Sequence, residues 1–99
     1  MASYVLLTKL NPDSMKDLES IEENGKRWKA AVKEKCPEVK WLCHYSVLGP
    51  YDFISIYEAP DEEVASKVSL ISMSLGATKA ESWTAIPYNE FLKILRSLQ

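Results

Sequence analysis

Apolar positions along this chain recur at two periods, and the switches between them divide it into strands and helices. Over residues 3–10, Tyr4, Val5, Leu6, Leu7 and Leu10 leave both sides of an extended segment apolar. That predicts a strand in the middle of a sheet, covered on both faces. Asn11, Pro12 and Asp13 follow as an N-cap, a proline at the first helical position and an acid in the first turn. From there Met15, Leu18, Ile21, Trp28, Val32 and Cys36 recur at helical spacing until Pro37 stops the run. Gly25 falls on the same stripe. A helix of about 24 residues would span about 36 Å, more than a strand of about 27 Å. A glycine at that point predicts a close approach to the sheet or a bend over it.

Residues 38–48 and 51–58 read as two strands joined at Gly49-Pro50, a hairpin. Pro60, Asp61, Glu62 and Glu63 open a second helix, placing negative charge at its positive dipole end. Val64, Val68, Ile71 and Leu75 form its buried stripe, and Gly76 stands where a helix commonly ends. Residues 77–86 predict a fourth strand. Pro87 starts a terminal helix with Tyr88, Phe91, Leu95 and Leu98 on one face and Leu92 beside them. Right-handed crossovers then set both long helices on one side of an antiparallel sheet. The predicted class is α+β: a ferredoxin-like βαββαβ sandwich with an added C-terminal helix, one domain over residues 1–99.

Such a sheet has an uncovered face. Alternation assigns Val5, Leu7, Trp41, Cys43, Tyr45, Ile54, Ile56, Trp83 and Ala85 to the side beneath the helices. The open set is then Tyr4, Leu6 and Thr8, with Leu42, His44, Ser46, Phe53, Ser55, Tyr57, Ala80, Ser82 and Thr84. A one-residue slip exchanges the sets on any strand. Four strands project close to about 400 Å², the limit of what a monomer leaves bare, so pairing with a second copy is expected. Higher homo-oligomers are compatible with the same face. A partly polar cavity between two such sheets would suit a small aromatic or acidic organic molecule, held by His44, Tyr57, Ser46 and Ser82.

Composition narrows the choices. The chain has 99 residues and a net charge of -2, and no Lys/Arg stretch stands clear of acids, which argues against nucleic acid. No apolar run reaches the about 20 residues that cross a bilayer, and Met1-Ala2-Ser3-Tyr4 is no signal peptide, so the cytoplasm is expected. Cys36 and Cys43 have neither metal nor redox spacing and read as buried, unreactive thiols, with Cys36, beside Pro37, the more exposed of the two. His44 is the only histidine and lacks partners for a metal. It could serve as an acid–base group, a ligand contact or a plain interface residue. No cofactor, metal site or catalytic set is predicted.

Gly49-Pro50-Tyr51-Asp52, followed by Phe53-Ile54-Ser55-Ile56 and Glu58-Ala59-Pro60-Asp61, resembles the GYD family, named for its Gly, Tyr, Asp signature. The resemblance runs through Gly76, the strand from Thr78 and Lys26-Arg27-Trp28, covering most of the chain. Pro50, directly before Tyr51, departs from the pattern and stiffens the hairpin. The resemblance implies a dimeric α/β barrel with two sheets face to face. A similar hairpin occurs in the effector-binding domain of the leucine-responsive regulators, whose helix-turn-helix this chain does not carry before its first strand. Within the signature, Gly49 suits a turn, Tyr51 packs, and Asp52 can accept backbone amides. Alternatively Tyr51 and Asp52 wall a ligand site between protomers.

These readings favour a non-catalytic small-molecule-binding or assembly module. The alternative is a small cofactor-independent monooxygenase- or isomerase-like enzyme with its site inside the barrel, suggested by fold analogy. Haem binding through His44 rests on that one residue.

Overall fold

The strands and helices follow the expected order. The computed structural model describes residues 1–15 and 17–99, with position 14 described by its backbone alone. The elements are β1 (Ala2–Leu10), α1 (Leu18–Lys35), β2 (Lys40–Ser46), β3 (Phe53–Ala59), α2 (Glu62–Ser74), β4 (Ala77–Ala85) and α3 (Tyr88–Ser97). This is the α+β arrangement read from the pattern. The sheet runs β2-β3-β1-β4 and is antiparallel throughout. β1 therefore lies inside it, as its two apolar sides required.

The first helix differs from expectation. A helix from 11 to 36 would cross position 16, which lies outside the described residues. Ahead of that position Pro12–Met15 is a 3-10 turn, with Asn11 Oδ1 accepting the Asp13 N–H at 3.0 Å. Beyond it Asp17 is the true N-cap of α1, its Oδ1 accepting the Ser20 N–H at 2.8 Å. A helical stripe absorbs this aspartate as helix interior, but its short carboxylate competes for backbone amides and starts the helix instead. At 18 residues α1 is about 27 Å long, a length the sheet can match, so its length no longer calls for a bend. Met15 and Leu18 are exposed, and the covered stripe begins at Ile21.

Gly25 is also corrected. A Cβ built there meets nothing within 4 Å, so no close contact requires a glycine. Cys36, expected to be the more exposed cysteine, is 1% exposed. Its N–H still donates to Val32 O at 2.7 Å, closing the helix while the thiol turns into the core. Gly76 does match its role: it follows α2 at φ 110°, a conformation glycine adopts without penalty, and its carbonyl accepts the Asn11 N–H at 2.8 Å.

The assignment of sheet faces is reversed on most strands. Tyr4, Leu6, Tyr57, Ala59 and Ala80 pack with Val32, Cys36, Val64, Ala65 and Val68, beneath the helices. Val5, Leu7, Cys43, Tyr45, Ile54, Ile56 and Trp83 occupy the open side by alternation. Two physical facts explain the inversion. Because β1 is apolar on both sides, it cannot orient the sheet. Hydroxyls point outward by polarity alone, yet here they satisfy one another inside. Trp41 alone keeps its place under the helices, because a bulge between Trp41 and Cys43 inserts Leu42 as an extra residue. Trp41 and His44 thus share a face despite their odd spacing.

α3 stands apart. None of its residues is buried, and among the described residues it makes no extended contact with another element. The radius of gyration is 15.0 Å, against about 13 Å for a compact chain of this length, and the longest dimension is 54 Å. No helix among the described residues is long and apolar enough to cross a membrane.

Candidate functional site

Under α1 the chain assembles a row of rings. His44 on β2 is stacked between Trp28 of α1, with centroids 5.4 Å apart, and Phe53 at the start of β3, 5.3 Å apart. Trp28 also meets Trp41 at 4.9 Å, and Trp41 meets Tyr57 at 5.2 Å. Trp28 is fixed at its polar end: Nε1 donates to Ser72 Oγ at 2.8 Å, and that hydroxyl donates to Val68 O at 2.8 Å. The ring planes are therefore set by helix-to-helix hydrogen bonds before anything binds.

His44 Nδ1 lies 2.7 Å from Ser55 Oγ, its partner across the strands. Ser55 is fully buried and has no other side-chain partner among the described residues. A buried hydroxyl proton needs an acceptor, so Ser55 donates to Nδ1 and the imidazole carries its own proton on Nε2. Desolvation, and then the charge of Lys29, hold the His44 pKa below the ordinary histidine value. The ring is accordingly neutral at pH 7, with one edge open to solvent. Beside it lies a cleft of about 80 Å³, bounded by Trp28, His44, Phe53, Leu10, Ile21 and Leu75, with Asn24 and Gly25 at its α1 side.

The expected site residues do not converge. His44, Tyr57 and Ser82 share a face, as alternation indicated, but that face lies beneath the helices. Tyr57 is fully buried, its OH 2.7 Å from Ser82 Oγ, which is 2.9 Å from Ser69 Oγ on α2. Burial above all pushes the Tyr57 phenol up to about 12. This chain of hydroxyls joins sheet to helix, with Tyr57 fully buried and Ser69 and Ser82 half-buried. Ser46, at the end of β2, is exposed and pairs with Phe53.

Tyr51 and Asp52 lie elsewhere. Asp52 Oδ2 accepts the Leu10 N–H at 2.8 Å, its own N–H donates to Thr8 O at 2.8 Å, and its carbonyl accepts the Val47 N–H at 3.0 Å. It pins the hairpin to the end of β1, the amide-accepting role read for it. Tyr51 OH donates to Glu81 Oε2 at 2.5 Å, and Trp83 Nε1 donates to Oε1 at 3.1 Å. The Tyr51 bond, followed by that from Trp83, holds the Glu81 carboxyl below the usual range. Glu81 pairs with Leu7 and so sits on the open face. Sequence reasoning missed it; its one signal was an acid in mid-strand, opposite an apolar residue. Among the described residues no three His, Cys, Asp or Glu stand together as a metal site.

An open-faced β2-β3-β1-β4 sheet with two helices behind it and a hairpin pinned by Asp52 defines a small α+β domain. The chain belongs to the GYD domain family, whose model matches residues 4–95. It is 30% identical over 98 residues, covering 97% of this chain and all of the relative, to a Thermus thermophilus protein named "Glutamine synthetase and cystathionine beta-lyase binding protein". The crystal structure of TTHA0845, also from Thermus thermophilus, superposes with a TM-score of 0.54 at 22% identity, covering 88% of this chain and 95% of that one. At that identity the likeness supports the fold.

Proposed function

We propose that this chain is a non-catalytic assembly module that pairs with a second copy through its open sheet face and, so paired, docks on partner enzymes. The observation that carries the pairing is the open face itself. Val5, Ile54 and Ile56 are half-buried on it around a buried Leu7, with Tyr45 62% and Trp83 52% exposed. A sheet face projecting about 400 Å² falls short of the about 800 Å² each partner contributes to a standard interface. The apolar side of α3, with Phe91, Ile94 and Leu95, can supply the remainder. The relative's name supports enzymes as partners. A cofactor-independent enzyme with its base inside the barrel is less well supported. His44 lies behind the sheet, and both carboxylate oxygens of Glu81 already accept hydrogen bonds.

Sedimentation at micromolar concentration tests the pairing: a dimer is expected, and Trp83→Arg should shift it toward monomer by forcing a charge into the join. A wild-type chain that sediments only as monomer would overturn it. For docking, the purified module should co-sediment with glutamine synthetase or cystathionine β-lyase from its own source. Binding to neither removes those enzymes as partners.

A further inference from the structure

The cleft beside His44 lies on the opposite side of the sheet from the proposed pairing face, and nothing in the assembly reading uses it. We propose that it is a binding site for a small single-ring aromatic molecule carrying a carboxylate or carboxamide oxygen. Three observations converge on this. The buried Ser55 hydroxyl engages Nδ1 of His44, which leaves Nε2, with its proton, as the ring nitrogen free to meet a ligand. Its plane is held between Trp28 and Phe53, and Trp28 is itself locked through Ser72, so the donor is aimed at no cost in rotamer freedom. Gly25 borders the cleft, has a helical backbone, and leaves open space where a side chain would stand. A glycine inside a helix costs about 1 kcal/mol relative to alanine, and no packing here demands it. What glycine does at this position is keep the mouth of the cleft clear.

The ligand class follows from size and lining. About 80 Å³ is well below the range for drug-sized ligands and suits one planar ring, partly inserted. Leu10, Leu75 and Phe53 supply apolar contact, and the ring can extend the existing stack. An oxygen on that ring meets His44 Nε2–H. The side-chain amide of Asn24, which makes no hydrogen bond among the described residues, stands at the same cleft as a second polar contact. Lys29, close enough to lower the His44 pKa, favours the carboxylate form.

The test uses the full chain with benzoate, benzamide and toluene as probes, followed by the NMR signals of the Trp28 indole N–H and the His44 ring. Benzoate and benzamide should shift both residues saturably, and toluene should bind more weakly. Gly25→Leu, which fills the mouth, should cut benzoate affinity at least about tenfold without lowering thermal stability. His44→Phe keeps the stack and loses the donor, so it should lower benzoate affinity about 10–100-fold while sparing toluene. Absence of saturable shifts at Trp28 and His44 would overturn the proposal. So would unchanged benzoate binding in Gly25→Leu, or contacts from a second copy's side chains to Trp28 showing that protein fills the cleft.

Discussion

Gly25→Ala should stabilise this protein, and the reason lies partly in the unfolded chain. Gly25 is in the interior of α1, and a methyl group at its Cβ meets no atom within 4 Å. The folded state therefore accommodates alanine without movement. The unfolded chain loses backbone freedom when glycine is replaced, which at compatible sites is worth about 0.4–1 kcal/mol. Helix propensity describes the same gain from the peptide side, at about 1 kcal/mol. For a domain of this size the rise in Tm should be about 2–8 °C. Urea unfolding followed by tryptophan fluorescence measures it directly. Protein concentration must be held constant, because pairing would couple stability to mass action. A lowered midpoint would refute the reasoning, since it would mean that the α1 surface at Gly25 abuts something in solution.

Asp52→Ala should cost about 1–3 kcal/mol, because it leaves the half-buried Leu10 N–H without its acceptor. Faster hydrogen exchange at the Leu10 amide would locate the loss. Acid should weaken the fold through His44: its folded pKa lies below 6.5, so between that value and 6.5 the unfolded chain binds the extra proton. Stability should fall as pH drops through this window and level off beneath it. His44→Phe should remove that component, and an unchanged slope in urea midpoints would assign it to other groups.

The order of elements was legible because each signal is local. Helix stripes such as Val64, Val68 and Ile71, the turn at Gly49, and Gly76 after α2 depend on near neighbours alone. The faces of the sheet depend on what lies opposite, and there the pattern misled. Tyr57 and Ser82 look outward by polarity, yet Ser69, on a helix and 13 residues before Ser82, completes their hydrogen bonds. Trp41 and His44 share a face only because Leu42 bulges, and no periodicity marks a single extra residue. The cleft was hidden for the same reason: His44 was visible as a candidate, but its neighbours Trp28, Ser72 and Gly25 come from helices assigned to the other side. Asp17 shows the opposite error, a local cap overlooked within an otherwise convincing stripe.

The bulge at Leu42 has a further consequence for behaviour in a crowded cell. β2 is an edge strand, with one row of backbone groups not paired within the sheet. A flat edge of that kind invites any passing strand to add on, a route to disordered aggregates. An extra residue at mid-strand breaks the regular repeat of donors and acceptors and sharpens the local twist. An incoming strand could match the ladder on one side of Leu42 but not on both. The protein thus discourages growth sideways through this edge, whereas the proposed pairing of open faces would end at two copies.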